Sequence, residues 1–247
     1  MASWLPLVQP FTNRTLRELR LALQKSFPIH VPANYTHRQH AAVVIPFCNV
    51  NDVPGILLEV RGKTLRHHSG EVSFPGGRVD ETDQTIVDAA IREAEEELGI
   101  VARQIEILGP IGPAEMNLRG DMRVWPFVAF LHKDGSLRQY LDSEPLPSLD
   151  LTNLQQKTSQ QEVDQIFHLT LSVIATPSRM QSRKFRDGMP YWAIDVEDLV
   201  TNSQDTTAIV GPVVDEVGAG GNGRLEVWGL TGWYLNILMR ALGVYSQ

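Results

Sequence analysis

The sequence predicts an α/β fold, in which apolar strands alternate with amphipathic helices. Residues 41–47 form an apolar, β-branched run, and residues 56–60 form a second one beyond Asn51-Asp52, so the two predict a β-hairpin. Residues 86–94 instead place apolar side chains at helical spacing. The composition of the 247 residues, 43% hydrophobic and 21% charged, is typical of a globular protein with one substantial core.

The helix predicted before Gly99 has signals at both ends. Asp83 is a candidate N-cap, because its carboxylate can accept hydrogen bonds from the free N–H groups of the first turn. Gly99 can adopt the left-handed conformation that often ends a helix. We expect the face that packs on the sheet to consist of Ile86, Ala89, Ala90 and Ala94.

Later segments predict the rest of the sheet. Residues 105–108 and 124–131 are predicted strands, and Pro126 indicates an edge or a bulge because proline cannot donate a backbone hydrogen bond. Alternating and aliphatic patterns in residues 162–174 and 191–195 can complete a mixed sheet with a covering helix.

Helices are also predicted near both ends of the chain. Thr15 and Glu18 have the spacing of a capping box, and Thr231 and Gly243 are candidate start and stop signals for a last helix. The predicted core faces are Leu16, Leu19 and Leu23 in the first helix and Trp233, Tyr234, Ile237, Leu238 and Ala241 in the second.

We expect one main domain with additions. Residues 1–36 are predicted to form an N-terminal helical extension, and residues 37–247 the domain itself. Two segments, near residues 133–161 and 202–224, are polar or glycine-rich and predict insertions with little order.

Charge and cysteine content restrict the partners and the compartment. A net charge of −7 argues against nucleic-acid binding, which needs a basic surface. The lone Cys48 excludes an internal disulfide and fits a reducing compartment. Residues 1–6 lack the features of a secretory signal. We expect an intracellular protein with neither a nucleic-acid nor a membrane partner, and the sequence leaves open the peroxisome, mitochondrion or cytoplasm and the oligomeric state.

The end of the predicted helix concentrates negative charge. Glu93, Glu96 and Glu97 lie at i, i+3 and i+4, so their carboxylates project from one helix face. Two such charges 4 Å apart repel by about 4 kcal/mol at an effective dielectric constant near 20. A divalent cation would offset this repulsion, and oxygen-only ligands favour Mg²⁺, Mn²⁺ or Ca²⁺ over Zn²⁺. The alternative is a solvated acidic face.

Glycines just before the helix favour the metal site. Gly76 and Gly77 follow Phe74-Pro75, and a glycine pair lets the backbone pass close to a ligand and offer a carbonyl or an amide to it.

Gly77, Asp83 and the run Arg92-Glu93-Ala94-Glu95-Glu96-Glu97-Leu98-Gly99-Ile100 resemble the Nudix box, G-x5-E-x7-R-E-U-x-E-E-x-G-U, where U is aliphatic. Two departures occur before the acidic turn. Asp83 stands where the box has Glu, and eight residues instead of seven separate it from Arg92.

The residues just upstream are similar to a narrower signature, L-L-T-x-R-[SA]-x3-R-x3-G-x3-F-P-G-G, of the coenzyme A pyrophosphatase branch of Nudix hydrolases. The match consists of Leu57, Leu58, Arg61, Arg66, Gly70, Phe74, Pro75, Gly76 and Gly77. Glu59 replaces the usual Thr and Gly62 the usual Ser or Ala. That branch commonly carries Asp with the longer spacing in its box, so the departures of the box agree with this assignment.

The resemblance implies an α/β/α Nudix sandwich with a mixed sheet and a loop-helix-loop catalytic motif. It implies hydrolysis of the coenzyme A diphosphate with Mg²⁺ or Mn²⁺ held by Glu93, Glu96, Glu97 and the Gly76 carbonyl. Arg92 is expected to orient the carboxylates, and Glu96 is our first choice for the general base, with Glu115 a weaker one. The implied substrate-binding residues are Arg61, Arg66, Gly70, Phe74 and Gly77.

A basic segment could meet the anionic substrate. Arg61, Lys63, Arg66, His67 and His68 occur without an intervening acid, and arginine suits the bidentate binding of phosphate. The alternative is a solvated loop. Other substrates, such as an oxidised nucleoside triphosphate or NADH, would need the same acidic turn, and a non-catalytic binding module of this fold is a further alternative.

Overall fold

The computed structural model describes residues 5–32, 35–65, 68–117, 119–134, 140–200, 220 and 224–245. Within these ranges the chain forms one mixed sheet of eight strands and a smaller sheet of three. The strands of the large sheet are β1 (His40–Val50), β2 (Val53–Arg61), β3 (Val72–Ser73), β4 (Gly76–Arg78), β5 (Ile105–Pro110), β6 (Glu115–Met116), β7 (Arg123–Leu131) and β8 (Val163–Thr170). The small sheet contains β9 (Met180–Lys184), β10 (Pro190–Asp195) and β11 (Glu226–Val227). The α-helices are α1 (Asn13–Ser26), α2 (Ile86–Leu98), α3 (Leu151–Gln155), α4 (Leu171–Ile174), α5 (Glu197–Val200) and α6 (Gly229–Ala241).

Helices cover both faces of the large sheet, giving an α/β/α arrangement. On one face α2 packs its small residues Ala89, Ala90 and Ala94 into a core with Val44 and Leu57, as the sequence predicts. On the other face α1 and α6 share a second core with the sheet, formed by residues that include Leu16, Leu19, Leu23, Ile45, Phe47, Tyr234 and Leu238. The predicted N-terminal extension therefore packs directly on the domain.

The predicted hairpin is confirmed. β1 and β2 are antiparallel, with Val50 paired to Val53 across the turn. Asn51 and Asp52 both have positive φ, 50° and 60°, a conformation that these two residue types tolerate and that suits the twist of a tight hairpin.

Beyond this hairpin the two strands separate, and residues 72–78 fill the gap. β1 pairs with β2 only as far as Phe47, and its first part pairs instead with β4, where Ala42 faces Gly77. β3 pairs with β2, where Glu59 faces Ser73. The segment that contains the glycine pair is thus built into the sheet beneath α2.

The predicted helix starts are wrong. The N-cap of α2 is Thr85, which forms a reciprocal capping box with Asp88. Asp83 instead accepts hydrogen bonds from Arg92. The N-cap of α1 is Thr12, whose hydroxyl accepts from the Thr15 N–H. α6 begins at Gly229, so Thr231, which we expected to cap it, lies inside its first turn.

Two other predictions about the sheets also need correction. β7 lies between β1 and β5, so the edge alternative for Pro126 is wrong, and the irregularity in the pairing of β5 with β7 falls in β5, between Ile107 and Gly109. Pro126 lies where β5 has ended and β6 has not begun, and its carbonyl accepts from the Ile111 N–H. β10 belongs to the small sheet and does not complete the large one.

The predicted insertion near residues 133–161 is more ordered than expected in its described part, residues 133–134 and 140–161. Leu146 donates its N–H to the Phe11 carbonyl, and Leu149 donates to the Asn49 carbonyl. Both leucines are buried. Of the second predicted insertion, near residues 202–224, only 220 and 224 lie among the described residues. No helix in the described part of the chain is long and apolar enough to cross a membrane.

Candidate active site

The acidic turn lies at the C-terminal end of α2, where Gly99 ends the helix with φ 63° as predicted. The three carboxylates differ in exposure. The side chain of Glu97 is 4% exposed, that of Glu93 is 19% exposed and that of Glu96 is 55% exposed. Glu97 therefore faces the sheet, and Glu96 faces solvent.

The glycine pair of β4 lies directly against this turn. The Gly76 N–H donates to Oε2 of Glu97 at 2.7 Å. A Cβ on Gly77 would come closer than 3.0 Å to the carboxylate of Glu93. The two glycines thus let two of the three carboxylates approach the backbone, which agrees with the proximity expected from the sequence.

Arg92 connects the helix to the loop before it. Its Nε and Nη2 donate to Oδ1 and Oδ2 of Asp83, both at 3.0 Å, and its Nη1 donates to Glu93 at 3.0 Å and to Glu96 at 3.3 Å. Nη2 also donates to the Arg78 carbonyl at 2.9 Å. The hydrogen bond to Asp83 is the main cause of the raised pKa of Arg92. This geometry suits the orienting role expected for Arg92.

A second arginine lies on the sheet side of the turn. Nη1 of Arg61 is 3.6 Å from Oε1 of Glu97 and 3.5 Å from Oε1 of Glu59. The Glu59 carboxylate is fully buried and accepts a hydrogen bond from the Ser73 hydroxyl at 2.9 Å. Sequence reasoning missed Glu59 and Ser73 as site residues. The sequence signal that could have revealed them is Glu59 itself, an acid inside the apolar run of β2, because a buried charge needs a specific partner.

A family comparison identifies the architecture around this site. Residues 38–168, more than half of the chain, match the family model described as NUDIX domain. The chain belongs to the NUDIX domain family. The Nudix fold is therefore the α/β/α arrangement described above, and α2 is the Nudix helix.

Relatives carry the same family name. An "Uncharacterized Nudix hydrolase NudL" of Escherichia fergusonii is 48% identical over 98 residues, which are 40% of this chain and 49% of the relative. One of the same name from Yersinia enterocolitica is 38% identical over 122 residues, 49% of this chain and 60% of the relative. The chain thus spans about half of the first of these curated relatives and three fifths of the second. A solved MutT/nudix family protein from Enterococcus faecalis is 18% identical with a TM-score of 0.37, covering 72% of this chain and 59% of that one.

The Nudix site carries more negative charge than its own cations neutralise. Burial raises the pKa of Glu97 and of Glu59, and the charge of Glu59 raises the pKa of Glu97 further. Burial also raises the pKa of Glu93. Oε2 of Glu59 has no hydrogen-bond partner among the described residues. An all-oxygen donor set with excess negative charge fits a hard divalent cation such as Mg²⁺ or Mn²⁺.

The carboxylates of the Nudix helix are engaged with protein groups in this structure. Glu93 and Glu96 accept from Arg92, and Glu97 accepts from Gly76. Accordingly, no group of three or more His, Cys, Asp or Glu side chains within the described ranges has a metal-binding arrangement. Each of these hydrogen bonds involves a single carboxylate oxygen, which is Oε1 of Glu93 and Oε2 of Glu96 and of Glu97.

The predicted substrate-binding residues of the upstream motif do not all lie at the site of this Nudix domain. Arg61 and Gly77 reach the site, and the Gly70 N–H donates to the Arg61 carbonyl at 3.0 Å. Phe74 does not reach it, because its side chain is buried in the core shared with α1 and α6. Arg66 lies outside the described residues.

Of the remaining basic segment, His67 also lies outside the described residues. Lys63 forms an ion pair with Asp164 at 3.8 Å, and Nδ1 of His68 is 2.9 Å from Oε2 of Glu71. These two side chains already have acidic neighbours, which favours the solvated-loop interpretation for them.

Two further acids, Glu115 and Glu162, differ in their distance from the acidic turn. Glu115, the weaker candidate base, accepts from the Trp233 indole at 3.2 Å, and β7 and β1 separate its strand from β4. Glu162 precedes β8, and its charge raises the pKa of both Glu59 and Glu93. Glu162 is thus the nearer of the two to the acidic turn.

Proposed function

We propose that this chain hydrolyses the diphosphate of coenzyme A or of a derivative, giving 3′,5′-ADP and 4′-phosphopantetheine. The observation that carries the proposal is that the two sequence motifs form one site. Arg61, from the upstream motif, lies 3.6 Å from Glu97 of the Nudix box. A guanidinium beside metal-binding carboxylates is what a diphosphate requires, because its oxygens need both a cation and hydrogen-bond donors.

Each group has a defined task in this reaction. Glu93, Glu96, Glu97 and the Gly76 carbonyl would hold Mg²⁺ or Mn²⁺. When bound, the cation would neutralise the diphosphate and lower the pKa of a water. Arg92 keeps the carboxylates of Glu93 and Glu96 oriented.

The proposed chemical step uses Glu96 and Arg61. Glu96, which faces solvent, accepts the proton of the attacking water. The water oxygen forms a bond to one phosphorus while the bridging P–O bond breaks and releases the second phosphate. Arg61 donates to the phosphate oxygens as charge develops on them.

A substrate panel tests the proposed reaction. Coenzyme A, NADH and 8-oxo-dGTP are incubated with the protein and Mn²⁺, and the products are identified by mass spectrometry. We expect 3′,5′-ADP and 4′-phosphopantetheine from coenzyme A at the highest kcat/KM. Preferential turnover of NADH or 8-oxo-dGTP would reject the substrate assignment, and no turnover of any compound would reject the enzymatic one.

Arg66→Ala tests the recognition of the 3′-phosphate that distinguishes coenzyme A. We expect the KM for coenzyme A to rise more than the KM for dephospho-coenzyme A, which lacks that phosphate. Lys63→Ala is the matched control, because it removes a cation from the same segment that already pairs with Asp164. An equal rise in KM for both substrates would exclude Arg66 from this recognition.

A further inference from the structure

We propose that Glu59 is a positioning residue, which together with Ser73 holds the Arg61 guanidinium between two carboxylates and so keeps Glu97 available to a cation. This inference rests on the proposed function and deepens it. It concerns a position where the sequence departs from the signature of its branch.

The contacts of Glu59 are specific. Its side chain is fully buried on the α2 side of the sheet, and Ser73, its cross-strand partner in β3, donates to Oε1 at 2.9 Å. Arg61, two residues along the same strand, places Nη1 at 3.5 Å from that same oxygen. Side chains two apart on a strand share a face, so β2 itself brings the acid and the arginine together.

Stability does not explain this acid. Oε2 of Glu59 and Nε of Arg61 are buried without hydrogen-bond partners among the described residues. A buried carboxylate with an unsatisfied oxygen destabilises a fold compared with a neutral side chain of the same size. A residue that is unfavourable for folding is expected where function requires it.

The distances indicate what the acid does. Nη1 of Arg61 is nearly equidistant from Oε1 of Glu59 and Oε1 of Glu97, at 3.5 Å and 3.6 Å, and both separations exceed those of a direct hydrogen bond. Without the charge of Glu59, the guanidinium would move onto Glu97 and compete with a metal ion for it. With that charge, Arg61 stays close to the metal site and retains donors for a phosphate.

Mn²⁺ affinity measured by EPR, without substrate, tests the inference. Glu59→Gln keeps the size and the acceptor for Ser73 but removes the charge. We expect Mn²⁺ to bind roughly tenfold more weakly, within the range for residues that orient metal ligands. In an Arg61→Gln background, the same change is expected to weaken Mn²⁺ binding by less than about threefold, because the group through which it acts is gone. Glu95→Gln, on the same helix but away from the site, is the control.

The outcomes separate the alternatives. An equal loss of Mn²⁺ affinity in both backgrounds would mean that Glu59 acts on the metal directly and would overturn the inference. Unchanged Mn²⁺ affinity with a lowered Tm would show a purely structural role and would also overturn it. If Glu59→Gln does not fold, Ser73→Ala tests the same link, with a smaller loss of Mn²⁺ affinity expected and an unchanged affinity contradicting it. Because the measurement needs no substrate, its result stands even if the wild-type protein fails to cleave coenzyme A.

Discussion

The guanidinium of Arg92 and the carboxylate of Asp83 form a bidentate ion pair, with both nitrogen–oxygen distances at 3.0 Å. Asp83 occupies the position of the first box glutamate, so the shorter side chain still reaches its arginine despite the longer spacing. The pair fixes the arginine, which in turn contacts Glu93 and Glu96. The arrangement therefore links the loop before α2 to the acidic turn.

Asp83→Asn should reduce activity by weakening this link. We expect kcat/KM to fall roughly 10- to 100-fold, the effect typical of residues that orient metal ligands. Steady-state kinetics at saturating Mn²⁺ measure the change. Asp80→Asn is the control in the same loop, because that carboxylate accepts from Thr82. Equal activity of Asp83→Asn and wild type would remove Asp83 from the orienting network.

The two glycines of β4 should respond differently to alanine. At Gly77 the added Cβ meets the end of the Glu93 side chain, which can move. We expect Gly77→Ala to keep the wild-type Tm but lose activity, because Glu93 is displaced. At Gly76 the φ of 149° disfavours any side chain, and a Cβ would collide with the backbone of Ala42 and Val43.

Gly76→Ala should therefore lower the free energy of unfolding by about 1–3 kcal/mol or more. Chemical denaturation measures the free energy of unfolding of both variants. If Gly77→Ala is the less stable of the two, then the backbone contact that distinguishes them does not control stability.

Local sequence patterns predicted most of the fold because turns and helix ends depend on the residues that form them. The hairpin follows from Asn51-Asp52, which tolerate positive φ, and the end of α2 follows from Gly99. The predictions were wrong where tertiary contacts determine the local structure. Asp83 has a good N-cap side chain, but Arg92 recruits it, so Thr85 caps the helix.

The polar appearance of residues 133–161 was also misleading. Asn49 is fully buried and binds the backbone of Phe11 and Leu146, which ties that segment to the strand. No local sequence pattern predicts the hydrogen bond between Asn49 and Leu146, which are 97 positions apart.

The candidate site was predictable in part. Helical spacing placed Glu93 and Glu97 near the glycine pair because both motifs are local. The contact between Arg61 and Glu97 depends on β2 diverging from β1, so spacing alone could not give it. The role of Glu59 depends on the same divergence, since β3 fills the gap and brings Ser73 to it.

Glu97→Gln should abolish catalysis without unfolding the protein. A bound cation supplies several kcal/mol of stabilisation to the developing charge, so its loss should reduce kcat roughly a thousandfold. Glu95→Gln, the isosteric change on the same helix, should retain activity. Kinetics and Mn²⁺ titration of both variants measure the effect. Wild-type Mn²⁺ affinity in Glu97→Gln would exclude Glu97 as a metal ligand.

Acid should destabilise the fold through His168. This side chain packs against Gly55, and burial lowers its pKa to about 4, outweighing a hydrogen bond with the Cys48 backbone. A histidine with a lowered pKa in the folded state binds its proton more readily when unfolded. The fold therefore loses stability as the pH falls from about 6.5, the usual histidine value, towards about 4.

The total loss of stability from this source is on the order of 3 kcal/mol, because each pKa unit is worth about 1.4 kcal/mol. Urea denaturation of the wild type and of His168→Gln between these pH values measures it. The variant lacks the titrating group, so the difference in unfolding free energy between the two proteins should shift in favour of the variant as the pH falls. A difference that stays constant with pH would show that His168 is protonated equally in the folded and unfolded states.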